Sequence, residues 1–150
     1  MTLVRAAIFW PVLCVVVYHF TLLHIRVEGI SMAPTYVDGS TYFVDRLAYV
    51  WHSPQRGDVV GIRLAGYHVM YLKRIIGLPG ETVAFIHGKV YIDGEELDEP
   101  YEKFPCDWNR PAEKLGSDEY FVVGDNRAMP MELHKFGKAK RDQILGKIIL

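Results

Sequence analysis

The stretch Tyr71-Leu72-Lys73-Arg74-Ile75-Ile76-Gly77-Leu78-Pro79-Gly80 decides the fold that we expect. Its β-branched and aromatic residues, closed by a Gly-Leu-Pro-Gly turn, predict a strand over residues 67–76. That strand carries a lysine, Lys73, among apolar neighbours. Burial disfavours the charged form of an amine and lowers its pKa. Because a neutral amine can accept a proton from a hydroxyl, Lys73 is a candidate general base.

Strand signals recur on both sides of this stretch. Runs rich in β-branched and aromatic residues, bounded by turn residues, predict strands over 40–46, 59–64, 81–86, 89–92, 119–123 and 144–150. The two-residue connection His87-Gly88 predicts a hairpin. Six or seven short strands separated by turns predict a mostly β domain, a sandwich or a barrel, over residues 27–150.

Residues 95–118 interrupt this pattern. They contain three prolines and little periodicity, so we expect a short irregular insertion on the surface. Its acidic residues are expected to form a solvated turn; they are Glu95, Glu96, Asp98 and Glu99.

The N-terminal segment has a different character. Residues 6–23 (AAIFWPVLCVVVYHFTLL) contain no Asp, Glu, Lys or Arg. Such a run forms about 27 Å of helix, enough to cross a bilayer core. We therefore predict an N-terminal membrane anchor over residues 1–26, with one transmembrane helix and the lipid bilayer as partner. A cleaved signal peptide and a buried core helix are the competing interpretations.

Composition excludes several functions. A chain of 150 residues with a net charge of −1 gives no electrostatic support for nucleic-acid binding. Its two cysteines do not form a disulfide framework, and its histidines lack the spacing of metal ligands. We expect no metal and no cofactor. A Ser-His-Asp triad remains an alternative, for which His68 is the best candidate base.

Three motifs now coincide with the pattern of one family. They are Ser31-Met32-Ala33-Pro34-Thr35, the lysine stretch quoted above, and Gly124-Asp125-Asn126-Arg127 followed by Ile144-Leu145-Gly146-Lys147. In this order, behind an apolar segment, they resemble the type I signal peptidases. The resemblance covers residues 29–147. It implies a signal-peptidase-like β fold and a hydrolase, a membrane-bound serine endopeptidase that removes signal peptides from exported preproteins.

The resemblance also implies roles for individual residues. Ser31 would attack the scissile carbonyl, and Lys73 would be its base. The oxyanion would be held by the N–H of Ser31 and by backbone at Gly29. Arg74, Gly124, Asp125 and Arg127 would support the site, with Arg74 paired to Asp125. By position, the candidate substrate-pocket residues are Val27, Met32, Tyr36 and Leu72. The catalytic domain would face the outer, periplasmic side of a bacterial inner membrane; a mitochondrial inner membrane is the alternative address.

The chain departs from the family after Arg127. Pro130 stands where the family has a serine that hydrogen-bonds the lysine, and Glu132 and His134 stand where an Asp and an Arg pair. A Glu132–His134 pair would be weaker than the family's ion pair above about pH 6.5, because neutral histidine carries no charge. We therefore expect Lys73 to be held by packing and by a backbone carbonyl. The departure is compatible with a dedicated processing peptidase, for instance of pilin precursors. It is also compatible with a catalytically impaired, membrane-anchored binding protein.

Overall fold

The computed structural model describes residues 3–65, 69–102 and 104–149. Within them, one helix, α1 (Leu3–Thr21), precedes eleven strands. The strands are β1 (Leu22–Arg26), β2 (Thr41–Asp45), β3 (Val59–Ala65), β4 (Val69–Gly77), β5 (Thr82–Ile86), β6 (Lys89–Ile92), β7 (Glu95–Glu96), β8 (Arg110–Lys114), β9 (Glu119–Val123), β10 (Gly137–Lys140) and β11 (Ile144–Ile149). Two 3-10 turns cover Met131–Leu133 and Arg141–Gln143.

The strands form two antiparallel sheets, neither of which closes on itself. The larger has the order β1-β2-β11-β3-β4-β9-β10, and the smaller has the order β7-β6-β5-β8. The mostly β prediction is therefore confirmed. Strand β4 lies inside the larger sheet, where Lys73 is opposite Val60 of β3 and Arg74 is opposite Val123 of β9. Neighbours on both sides fix the backbone from which these two cations project.

The strands predicted from local signals are found close to their expected positions. Strand β9 has the predicted bounds, and β5 and β6 form the predicted hairpin. Its connection has positive φ at both His87 (49°) and Gly88 (80°), as the favoured two-residue turn requires.

The prediction of an irregular segment over 95–118 is wrong in part. Strands β7 and β8 lie within it and pair with β6 and β5. Pro111 is tolerated because β8 is an edge strand, where a missing N–H leaves no partner unpaired. The start of the predicted strand 67–76, including Tyr67 and His68, lies outside the described residues.

The N-terminal helix ends two residues before the end of the predicted span, residues 6–23. It stops at Thr21, and Leu22 and Leu23 belong to β1, which pairs with β2 from Leu22↔Asp45 to Arg26↔Thr41. The N–H of Arg46 donates to the Thr21 carbonyl at 2.9 Å, which satisfies one helix-end acceptor. Sheet pairing therefore overrides the apolar run.

Among the described residues, no helix combines the length and the apolarity needed to cross a membrane.

Three apolar clusters support the sheets. One lies between them and contains Ile76 and Val123 of the larger sheet with Val83 and Phe85 of the smaller. Another contains Val27, Met32 and Leu72. Met32 is only 1% exposed, so burial of its side chain fixes the backbone directly beside Ser31.

Candidate active site

Ser31 and Lys73 meet although 42 positions separate them. Nζ of Lys73 lies 2.7 Å from Oγ of Ser31, within hydrogen-bond distance. Lys73 is 2% exposed. Burial lowers the pKa of its amine to about 8, and the negative charge of Asp125 only partly opposes this effect. A hydroxyl thus lies beside an amine that loses its proton far more readily than a surface lysine does.

The backbone of Ser31 is held by the loop that follows β9. The N–H of Asn126 donates to the Ser31 carbonyl at 3.1 Å, and Asn126 Nδ2 donates to the Ile30 carbonyl at 3.1 Å. Gly124 makes this close approach possible, because a Cβ at that position would lie 2.2 Å from the Ser31 carbonyl oxygen. The loop and the nucleophile turn are therefore in direct backbone contact.

Arg74, the residue after Lys73, is paired with Asp125. Its Nε donates to Oδ1 at 2.8 Å and its Nη2 to Oδ2 at 2.6 Å, and the Asp125 side chain is fully buried. Burial alone would lower the pKa of the guanidinium, but the hydrogen bond and charge of Asp125 outweigh it and raise the pKa. Thr35 Oγ1 also donates to Asp125 Oδ2 at 2.6 Å, and the Tyr101 ring lies 3.9 Å from the Arg74 guanidinium carbon. The pair thus joins β4, the loop and the turn that carries Ser31.

Arg127 forms a second buried ion pair. Its side chain is fully buried, its Nε donates to the Gly124 carbonyl at 2.8 Å, and its Nη2 lies 2.6 Å from Oε1 of Glu99. The Glu99 side chain is 4% exposed. The prediction of a solvated turn is therefore wrong for Glu99, because Arg127 takes it out of solvent.

Gly29 does not offer the free donor that we expected. Its N–H donates to Asp38 Oδ1 at 2.8 Å, and its φ of +97° is one that glycine adopts readily. In this conformation the Gly29 N–H is engaged and cannot also meet an oxyanion. Within the described part of the chain, the N–H of Ser31 has no hydrogen-bond acceptor.

A small cavity of about 60 Å³ opens beside Ser31. Three of the four candidate pocket residues line it: Val27, Met32 and Leu72. Tyr36 does not; its ring packs edge-on against Tyr42 at 4.9 Å.

The departure after Arg127 has a different outcome from the one expected. Among the ion pairs of the described residues, none joins Glu132 to His134, so the weakened pair considered above does not form. Glu132 is exposed, whereas His134 is buried with Nε2 3.1 Å from the Asn126 carbonyl. Burial, together with the charge of Lys73, lowers the pKa of His134 to about 4, so the ring is neutral.

The predicted backbone carbonyl for Lys73 has no counterpart among the hydrogen bonds of the described residues, where Nζ meets Ser31 Oγ. Pro130 is exposed and precedes the first 3-10 turn. The alternative base His68 lies outside the described residues. In the part of the chain that is described, no group of three His, Cys, Asp or Glu side chains could hold a metal ion.

Several residues around the site were not singled out from sequence. Thr35 and Asn126 lie inside the motifs quoted from the sequence, so their positions in those motifs could have identified them as site residues. Asp38, Glu99 and Tyr101 lie in loops without periodicity, and only the tertiary structure brings them to the site.

Comparison with known proteins identifies the family of this chain. The family described as "Signal peptidase, peptidase S26" matches residues 1–150. Signal peptidase I T of Bacillus subtilis (strain 168) is 34% identical over 156 residues, covering 95% of this chain and 79% of the relative. The chain belongs to the S26 signal peptidase family.

Two further comparisons set the extent of the likeness. The probable signal peptidase I-2 of Synechocystis sp. is 33% identical over 123 residues, and the match spans 78% of this chain but only 56% of that relative's length. A crystal structure of a signal peptidase I from Enterococcus faecalis V583 is similar with a TM-score of 0.51 and 28% identity. The aligned region covers 65% of this chain and 97% of the Enterococcus chain.

Proposed function

We propose that this protein is a membrane-associated serine endopeptidase that removes N-terminal signal peptides from exported preproteins. Ser31 is the nucleophile and Lys73 the general base. The observation that carries the proposal is the 2.7 Å separation of Oγ and Nζ, with the amine almost fully buried. Membership of the S26 signal peptidase family supports the same chemistry.

In the acylation step, neutral Lys73 takes the Ser31 hydroxyl proton while Oγ attacks the scissile carbonyl carbon. The resulting ammonium gives that proton to the departing amine, so the peptide C–N bond breaks and an ester with Ser31 remains. Lys73 is then neutral again. It next deprotonates a water molecule, whose oxygen attacks the ester and releases the acid product, and Ser31 regains its proton.

The N–H of Ser31 is the oxyanion donor in this proposal, because it has no acceptor among the described residues and belongs to the attacking residue itself. The Gly29 N–H contributes only if Asp38 releases it on substrate binding. Arg74, Asp125, Gly124 and Arg127 do no chemistry. They hold β4 and the loop after β9 against the nucleophile turn.

The substrate lies extended along a sheet edge and adds backbone hydrogen bonds. The cavity beside Ser31 takes a small apolar side chain, because only about 60 Å³ is open between Val27, Met32 and Leu72. Tyr36 limits substrate access only indirectly, through its packing on this cluster. We propose preproteins with small residues near the cleavage site as the substrate class.

The lipid bilayer is the partner that we propose for residues 1–26. Large apolar side chains of α1 are exposed in the isolated chain, among them Ile8 (62%), Trp10 (61%), Val15 (66%) and Phe20 (67%). Burial of such surface in lipid is favourable. The full chain should therefore sediment with membranes. Val15→Glu should shift it toward the soluble fraction, and the control Ile86→Glu should not; a wild-type chain found entirely in the soluble fraction would contradict this assignment.

Cleavage of a model preprotein tests the catalytic proposal. Wild-type membranes should release the mature chain, whereas Ser31→Ala and Lys73→Ala should not. Ser53→Ala, at an exposed position, is the matched control. Full cleavage by either site variant would end the Ser-Lys assignment.

A dedicated processing peptidase is a second candidate, favoured by the altered segment after Arg127, in which Pro130 is exposed and His134 is buried. A panel of precursors separates it from a general enzyme, because a dedicated peptidase cleaves one precursor class, such as pilin precursors. Binding without cleavage of any precursor would indicate a catalytically impaired homologue.

A further inference from the structure

We infer that His134 is a positioning residue for Ser31 and acts through Asn126. This inference rests on the proposed peptidase activity, since it assigns to His134 the task of fixing the nucleophile of that reaction.

The hydrogen bond of His134 defines its tautomer. Nε2 lies 3.1 Å from the Asn126 carbonyl, and a carbonyl only accepts, so Nε2 carries the hydrogen. Nδ1 is then a bare acceptor, buried and without a donor among the described residues. A ring that served only to fill space would not need either nitrogen.

The surroundings of His134 are aromatic. Its ring centroid lies 4.9 Å from that of Trp108 and 5.9 Å from that of Phe136, both nearly edge-on. A phenylalanine or leucine would suit such neighbours equally well. The feature that distinguishes histidine here is the N–H that it directs to the Asn126 carbonyl.

Asn126 carries this contact to the nucleophile. Its backbone N–H donates to the Ser31 carbonyl and its Nδ2 to the Ile30 carbonyl, each at 3.1 Å. One hydrogen bond therefore joins His134 to Asn126, and two more join Asn126 to the nucleophile turn. His134 fixes the carbonyl end of the residue whose N–H fixes Ser31.

Gly124 brings the same groups together by contact. A Cβ on Gly124 would lie 2.2 Å from the Ser31 carbonyl oxygen and 2.7 Å from His134 Cε1. The ring and the nucleophile backbone thus approach one glycine from the same direction. A displacement of the ring would open space directly behind Ser31, and small displacements of a reacting group can cost about 100-fold in rate.

The test compares two side chains of equal length, one with an N–H and one without. The full-length wild type, His134→Gln and His134→Met are assayed with a fluorogenic peptide that has alanine at the first and third positions before the cut. We expect His134→Met to lower kcat by about 10- to 100-fold with KM changed less than about twofold. His134→Gln should restore most of kcat, because its amide can donate to the Asn126 carbonyl. The matched controls, His52→Gln and His52→Met, change an exposed histidine and should behave as wild type.

Equal kcat for His134→Met and wild type, or equally low kcat for the Gln and Met variants at matched melting temperature, would overturn the inference. If His134→Met does not fold, His134→Phe decides, because phenylalanine suits the aromatic neighbours but has no N–H for the Asn126 carbonyl. His134→Phe should lower kcat with KM unchanged, and a wild-type kcat would refute the role of the His134 hydrogen bond. Failure of the wild type to cleave any precursor would instead refute the proposed function.

Discussion

Lys73 and Arg74 are consecutive buried cations on one strand, and the protein treats them in opposite ways. Arg74 has a fully buried carboxylate within 2.6 Å and stays charged. Among the described residues, the hydrogen-bond partner of Lys73 is a serine hydroxyl at 2.7 Å, and burial lowers the pKa of the amine to about 8. Successive side chains of a strand point to opposite faces, so adjacent residues can have such different surroundings.

This difference in partners gives the two cations different roles, one structural and one chemical. A buried charge with a partner holds elements together, whereas a buried amine without a carboxylate partner becomes a base. The same desolvation acts on both residues. The position of one carboxylate, Asp125, decides which of them remains an ion.

The largest effect should follow from exchanging one cation type for the other. Lys73→Arg keeps the charge but cannot release a proton near neutral pH, so kcat/KM should fall by about 1,000-fold or more. Lys89→Arg, at a 60% exposed side chain, is the control and should be silent. Cleavage of a peptide substrate measures both. More than a tenth of wild-type activity in Lys73→Arg would contradict the assignment of Lys73 as the general base.

Breaking the paired cation should cost stability instead. Asp125→Asn leaves the Arg74 guanidinium without its counter-charge, which should lower the free energy of unfolding by about 3 to 5 kcal/mol. Asp142→Asn, at an exposed position, should have little effect. Urea denaturation of both variants provides the comparison. A loss below about 1 kcal/mol for Asp125→Asn would show that the ion pair is not what holds the loop.

The pH dependence of activity should report on the unpaired amine. Only neutral Lys73 accepts a proton, so kcat/KM should rise about tenfold per pH unit below pH 8 and then level off. The free-enzyme pKa is read from this profile. A midpoint near 10.5, the ordinary value for lysine, would mean that burial does not tune the amine.

Removing the unpaired cation should stabilise the fold while abolishing activity. The pKa of Lys73 is lower in the folded than in the unfolded state, so the unfolded state binds more protons and stability rises with pH between about 8 and 10.5. At pH 7, Lys73→Met should therefore unfold at higher urea, with a gain of about 1 to 3 kcal/mol. The gain should shrink at pH 9. Lys89→Met is the exposed control, and a destabilised Lys73→Met at pH 7 would contradict the comparison.

An ion pair in which the cation is half-exposed should show the smallest effect. Lys147 Nζ lies 2.6 Å from Asp58 Oδ1, but its side chain is 44% exposed and solvent screens the pair. Burial alone would raise the pKa of Asp58, and hydrogen bonds from Lys147, Gln55 and Tyr49 outweigh it and lower the pKa. Asp58→Asn should therefore cost about 1 kcal/mol at pH 7.

That contribution of Asp58 is present above about pH 4 and disappears as the pH falls through the lowered folded-state pKa. Thermal unfolding of the wild type and Asp58→Asn should therefore converge in acid. A difference that stays constant down to pH 2 would assign the loss to packing.

Local signals were sufficient for part of this fold. The β5–β6 hairpin and β9 could be predicted because alternation, β-branched residues and turn residues act over a few positions. Strand β1 could not, since residues 22–26 continue an apolar run and only pairing with β2 makes them a strand. Strand β8 contains a proline and charged residues that by themselves favour a loop.

The site divides in the same way. Ser31, Lys73 and the Arg74–Asp125 pair were predictable because they lie in the short motifs that carry the family resemblance, and the resemblance implies their roles. Glu99 was not, because its partner Arg127 is 28 positions away and nothing in the sequence relates them. The burial of His134 was also hidden, since the family resemblance sets this residue opposite Glu132 at the position of an ion pair, and only the tertiary structure brings Trp108 and Phe136 around its ring.

The helix α1 passes into β1 without a single intervening residue, and the Arg46 backbone fastens the junction. Ser31 follows the end of β1 by five positions. Because no linker separates α1 from β1, the orientation of the helix is coupled to that of the sheet. With α1 seated in lipid as proposed, this short connection sets the height of Ser31 above the bilayer.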